Sequence, residues 1–354
     1  MTAQINLEFE CTYAEAISRG LCTAMYQDEK VVVLGIGVQY PSGIFGTTNI
    51  AYSKFGAKRV IDTPAMENAL TGIAVGLAEQ GYRPLLVHAR VDFMALSLDQ
   101  IINVVSKWKY MFGGNAGNCP IVIRSIIGRG WGQGATHSQT FHSMLSNIPG
   151  LRVLLPATVQ DAHDMLLTSF KQDIPTVIFE HRSLYTSRGK LNVEKQIETI
   201  QDFYPAVLRE GKDVSLAGYS YAVSELMEVA NSLSKIGISS EVIDLRSTFN
   251  VDLDCLVRSA EKTGYLLLHD VGWSKYGALA EVQAQVLQRS RRPIEVLRVG
   301  VAETPSPASE YLEGFFYPKV NHIAGYVLNL IGESEGIMGK ISNTNQDSEF
   351  LGPY

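Results

Sequence analysis

The sequence predicts an α/β protein of two domains, the first built on a mainly parallel sheet and the second a smaller α/β domain. Three observations carry this. The chain has 354 residues, more than one typical domain holds and enough for two, each with its own core. Short apolar runs alternate with stretches of helical periodicity, as expected of buried strands with helices covering both faces of a sheet. A charged, weakly periodic stretch from about 187 to 212 separates two such alternating sets.

In chain order, "TYAEAISRGLCTAMYQDEK" brings Tyr13, Ala16, Ile17, Leu21 and Met25 near helical spacing and leads into "VVVLGIGV" at 31–38, a helix feeding a buried strand. Apolar runs at 85–87, 121–123, 153–155 and 176–179 read as further strands. Between the first two strands, Thr63 and Pro64 signal a helix start and Gly81 its stop. On that helix Ala69, Ile73, Ala74, Leu77 and Ala78 form an apolar face, while Gly72 and Gly76 permit close backbone approach. After the divide, "DVSLAGY" at 213–219, "SSEVIDL" at 239–245, "GYLLLHD" at 264–270 and "IEVLRVG" at 294–300 read as four more strands. The expected domains are 1–190 and 213–332, joined by a linker at 191–212 and followed by a polar tail at 333–354.

Hydrophobic residues make up 46% and charged residues 19%, a globular composition. A net charge of -6 leaves no electrostatic footprint for nucleic acid, and the cluster "RSRR" at 289–292 reads as a solvated helix end. Cys11, Cys22, Cys119 and Cys255 are far apart with no zinc-type spacing, which fits a reduced, cytoplasmic chain without a metal site of its own. No apolar run is long enough to span a membrane, and "MTAQINLEFE" lacks the pattern of a signal peptide.

Glu67 stands at the mouth of a helix otherwise built from small and apolar residues. An acid in the first turn favours the helix dipole, which is reading enough by itself. A carboxyl desolvated at a buried helix start also holds a proton more readily than one in water, and can share it with a ligand nitrogen. From the residues alone both readings stand. Downstream, the strand near 121–124 runs into "GRGWGQG" and then His137. The glycines lack the spacing of a P-loop or dinucleotide fingerprint, so this reads as a mobile loop past the carboxyl end of a parallel strand. His137 is either an ordinary loop histidine or a site residue.

The stretches "RVIDTPAMENALTGIAVGLAEQGYRP", "DFMALSLDQIINVVSKWKYMFGG", "THSQTFH" and "IPGLRVLLPATVQDAHDML" together resemble the β subunit of thiamine-diphosphate-dependent 2-oxoacid dehydrogenases of the pyruvate and branched-chain types. The similarity continues through "VIDLRSTFNVD", "KTGYLLLHDVG", "ETPSPASEYLEG" and "YPKVNHIAGYVLNLI", covering about residues 10 to 331. It implies a thiamine-diphosphate pyrimidine-binding domain followed by a transketolase C-terminal-like domain. It implies further that Glu67 hydrogen-bonds the cofactor's pyrimidine nitrogen and favours the imino tautomer used in deprotonating the thiazolium. Phe93 matches an aromatic contact of the aminopyrimidine, and His137 a histidine near substrate and cofactor. Magnesium and diphosphate are held in that family by a "GDG…N" motif on a separate α subunit. This chain has no GDG, so the resemblance implies half an active site, an α2β2 assembly, and a lipoyl-bearing acyltransferase as the acyl acceptor.

The chain departs from the family pattern beside the cofactor's expected place. An "EFM"-like segment is replaced by Val87, His88 and Ala89, a glutamine by Leu96, and "QHSQ" by Thr136 before "HSQ". Ala89 and Leu96 thus become the expected cofactor neighbours. Three functions follow: decarboxylation of a 2-oxo acid with acyl transfer to a lipoyl domain; carboligation or ketol transfer to an aldehyde; or a non-catalytic scaffold, against which the joint presence of Glu67, Phe93 and His137 argues. A potassium site is neither supported nor excluded.

Overall fold

The computed structural model describes residues 8–194, 203–248 and 252–333. The polar tail, from residue 334, and residues 195–202 of the expected linker lie outside the described residues. The chain falls into two units, 1–127 with 145–203 and 128–144 with 204–354.

In the first unit, β1 (Glu8–Thr12) pairs antiparallel with β8 (Arg188–Asn192) as a two-stranded ribbon. The main sheet has six strands: β2 (Val31–Gly35), β3 (Val60–Asp62), β4 (Arg83–His88), β5 (Val122–Ile127), β6 (Arg152–Leu154) and β7 (Thr176–His181). Their order is β3-β2-β4-β5-β7-β6 and every pairing is parallel. Strands β2, β5 and β7 are buried at every position, which is why they read as continuous apolar runs. The helix Tyr13–Gln27 opens on a capping box, Glu15 N donating to Thr12 Oγ1 at 3.2 Å and Thr12 N to Glu15 Oε2 at 2.7 Å. It buries Tyr13, Ala16, Ile17, Leu21 and Met25, packing against the helix Val159–Phe170.

One buried ion pair ties the sheet together. Arg124 on β5 donates to Glu180 on β7 at 2.5 and 2.7 Å, and Tyr185 Oη donates to Glu180 Oε2 at 2.7 Å. Both charges are removed from water, so their mutual pairing is what makes the burial tolerable.

The helix expected from Thr63 begins later, at Glu67, and runs to Glu79. Thr63 N donates to Gly35 O at 3.2 Å, so Thr63 is tied to the end of β2 instead of capping the helix. Gly81 takes φ +81 and stops the helix as its sequence position suggests.

The second unit holds β9 (Ala206–Arg209), β10 (Val214–Gly218), β11 (Ser240–Asp244), β12 (Tyr265–Trp273) and β13 (Glu295–Val301), ordered β13-β12-β10-β11-β9. Its four predicted strands are parallel, and β9 is added antiparallel at the β11 edge. This strand falls inside the stretch 191–212, where its exposed, charged surroundings hide it from pattern reading.

Candidate functional site

Glu67 is the first residue of its helix, is 8% exposed, and follows Met66, which gives the helix no side-chain cap. The amides of that first turn and a carboxyl group are therefore presented together at the carboxyl end of β3. Gly72 and Gly76 lie on an outward side of the same helix: a methyl added at Gly76 would meet nothing within 4 Å, and Ile73 beside them is 50% exposed. The buried face holds Leu70, Thr71, Ala74, Val75 and Ala78 instead. Ile73, read from spacing as part of the apolar face, is thus on the open side.

The segment after β4 carries the other expected cofactor contacts. Ala89 is half-buried, Phe93 lies in the short helix Val91–Met94 with 42% exposure, and Leu96 lies in the turn Ala95–Ser97 with 63% exposure. That turn packs against the Glu67–Glu79 helix. Glu67, Ala89, Phe93 and Leu96 are therefore all in the first unit, at the carboxyl ends of β3 and β4, where parallel sheets bind ligands.

His88 is a departure with a physical consequence. It is 5% exposed, its Nε2 has no hydrogen-bond partner, and burial lowers its pKa to about 4. Its register partner on β5, Ser125, likewise has an unpartnered buried hydroxyl.

His137 sits on the segment 128–144, which groups with the second unit. It follows the turn Gly134–Thr136, is half-buried, and its Nδ1 lies 3.0 Å from Thr136 Oγ1. The segment, read from sequence as a mobile loop, is anchored at several points. Trp131 is 2% exposed and donates from Nε1 to Ser138 Oγ at 2.9 Å. Gly134, at φ +66, lies so close to Ala308 that an added methyl would meet its Cβ at 3.2 Å. Arg129 donates to Glu225 at 2.5 Å, and His269 Nε2 lies 2.9 Å from the other oxygen of Glu225. Burial alone would push the Glu225 carboxyl up, but Arg129 and His269 outweigh it and hold the pKa at about 2.

His142 closes the segment with a buried contact to Asp270, Nε2 to Oδ2 at 3.0 Å. Burial opposes the Asp270 carboxylate, while His142 and the Gly272 N–H lower its pKa on balance. Sequence reading missed Asp270, His269 and Glu225. The one signal was "THSQTFH" itself, whose second histidine is the buried one. A cavity of about 400 Å³ is lined by Ser138, Gln139, Trp273, Tyr276, Pro305 and Phe316, among others, without His137 itself.

Among the described residues no group of three or more His, Cys, Asp or Glu side chains is placed to hold a metal ion. No helix among them is long and apolar enough to cross a membrane.

Comparison with known proteins matches residues 10–188 to the transketolase pyrimidine-binding domain and residues 204–323 to the transketolase C-terminal domain. The chain is 36% identical over 310 residues to the mitochondrial pyruvate dehydrogenase E1 component subunit beta of Dictyostelium discoideum, covering 86% of each chain. It is 33% identical over 324 residues to the acetoin:2,6-dichlorophenolindophenol oxidoreductase subunit beta of Cupriavidus necator, covering 87% of this chain and 94% of that one. Among solved structures, a split-gene transketolase described as an inactive beta4 tetramer superposes with a TM-score of 0.70 at 22% identity, covering 91% of this chain and 98% of that one.

Proposed function

This chain belongs to the transketolase family, among the β subunits of thiamine-diphosphate-dependent 2-oxoacid dehydrogenases, and we propose that it supplies the pyrimidine-binding half of an active site that decarboxylates a 2-oxo acid. The observation that carries this reading is Glu67, a buried carboxyl at the uncapped start of a helix against which the turn following exposed Phe93 packs. Thiamine diphosphate, when bound, supplies the electron sink for the cleaved carbon–carbon bond. Glu67 would hold a proton at the pyrimidine nitrogen, and Phe93, Leu96 and Ala89 would be the neighbours of its ring. His137 orients or protonates the reacting group from its anchored segment.

The diphosphate and its magnesium fall in this reading to an α subunit bearing the "GDG…N" motif, which this sequence lacks. The open face of Gly72, Ile73 and Gly76 supports a second chain packing closely there, in an α2β2 assembly. The acyl group passes to a lipoyl domain in this reading. A second reading, transfer to an aldehyde, draws support from Val87, His88, Ala89 and Leu96, since Val87 stands where the family has an acid and Leu96 where it has a glutamine. Four free cysteines fit a reducing compartment, and we assign the cytoplasm.

The test is calorimetric titration of thiamine diphosphate with magnesium into this chain alone and then into its complex with the α subunit. Tight binding confined to the complex is expected. Absence of binding in both would replace the catalytic reading with a scaffold role.

A further inference from the structure

The cavity of about 400 Å³ is built entirely from residues of the second unit, and its volume is in the range that holds small molecules. It lies past the carboxyl ends of β12 and β13, the end at which parallel strands take ligands. Trp273 is the last residue of β12, and Glu303 and Pro305 follow β13.

Its walls are largely apolar. Trp273, Tyr276, Pro305 and Phe316 line it, and polar groups around them are already engaged. The Trp273 indole N–H donates to the Ala302 carbonyl at 3.1 Å, the Ser306 and Tyr317 hydroxyls are 3.2 Å apart, and Ser138 accepts from Trp131. The body of an occupant therefore gains by burying hydrocarbon or an aromatic ring. Tyr276 is 92% exposed and takes φ +56, a backbone state that is costly for a tyrosine. Gly277 beside it lies so close to the Trp273 carbonyl that an added methyl would collide. A tight turn thus holds the Tyr276 ring at the cavity although that ring has little of its own chain to pack against.

Two charged side chains line the cavity, and they are of opposite sign. Lys275 Nζ lies 3.4 Å from Glu303 Oε2, with the side chains 62% and 59% exposed. An ion pair so exposed contributes only about 0–1 kcal/mol, so parting it costs little. A ligand with a carboxylate and an ammonium on one carbon can offer Lys275 and Glu303 a new partner each, while its remaining bulk enters the apolar walls.

We propose that this cavity binds a free α-amino acid with a large apolar side chain, its carboxylate on Lys275 and its ammonium on Glu303. The site is independent of the function proposed above, since none of Glu67, Ala89, Phe93, Leu96 and His137 lines it.

The experiment is calorimetric titration of L-phenylalanine into the full chain, beside glycine, N-acetyl-L-phenylalanine and L-phenylalaninamide, which lack in turn the apolar side chain, the ammonium and the carboxylate. Phenylalanine is expected to saturate one site per chain, with each of the other three weaker by about 5- to 10-fold or more. Lys275→Gln and Glu303→Gln, both at exposed positions, should each weaken phenylalanine by about 5- to 10-fold. Tyr276→Ser should weaken phenylalanine while leaving the fold intact. Absence of saturable binding, or binding unchanged in both glutamine variants, would overturn the proposal. N-acetyl-L-phenylalanine or L-phenylalaninamide binding as tightly as phenylalanine would point to a peptide terminus and overturn the assignment to a free amino acid.

Discussion

His142 Nε2 lies 3.0 Å from Asp270 Oδ2, and the two side chains are each 1% exposed although 128 residues separate them in sequence. The contact pins the end of the segment that carries His137 to β12. Asp270→Ala leaves a buried imidazole without this partner, and we expect a loss of about 2 kcal/mol. It would be read as a lower urea midpoint for the chain, with reduced kcat in the complex. Asp270→Asn should recover part of both. An unchanged midpoint for Asp270→Ala would show that the contact anchors nothing.

His88 predicts an acid sensitivity. Its ordinary pKa of 6.5 falls to about 4 on burial, so the unfolded chain binds a proton that the folded chain refuses between those values. Stability is unaffected above about pH 6.5 and falls as pH drops through that window, by about 2 kcal/mol at pH 5. His88→Phe removes the titrating group. The wild type should lose more stability between pH 7.5 and pH 5 than the variant does, measured by urea unfolding. Parallel losses would show that His88 is not the buried neutral group described.

Gly76 separates folding from assembly. Nothing lies within 4 Å of a methyl added there, and leucine is a better helix former than glycine by roughly 0.5–1 kcal/mol. Gly76→Leu should therefore melt no lower than the wild-type chain alone, yet fail to co-purify with the α subunit because the close approach is blocked. Normal assembly would remove this helix face from the proposed interface.

Much of the fold is legible because the central strands are buried along most or all of their length and so appear as unbroken apolar runs. The ribbon β1–β8 and the edge strand β9 were invisible for the opposite reason, having exposed and charged residues on one or both sides. The helix begins at Glu67, three residues after the Pro64 start that its sequence suggests, because Pro64 satisfies the rule for a helix start while its neighbour Thr63 donates to Gly35 O. At the candidate site, Glu67, Phe93 and His137 stood out by resemblance to the family. The pairs Arg124–Glu180, Arg129–Glu225 and His142–Asp270 span 56, 96 and 128 residues, and no local pattern announces such partners.

Glu67 is central to the proposed function as the group that would hold the cofactor's pyrimidine nitrogen. The most direct test is Glu67→Gln in the α–β complex, with thiamine diphosphate affinity measured beside steady-state turnover of a 2-oxo acid. The amide keeps the shape but cannot exchange the proton, so kcat should fall by about 10²- to 10⁴-fold while the complex assembles and still binds cofactor. Turnover at the wild-type rate would contradict the role assigned to Glu67 and, with it, the catalytic reading of this chain.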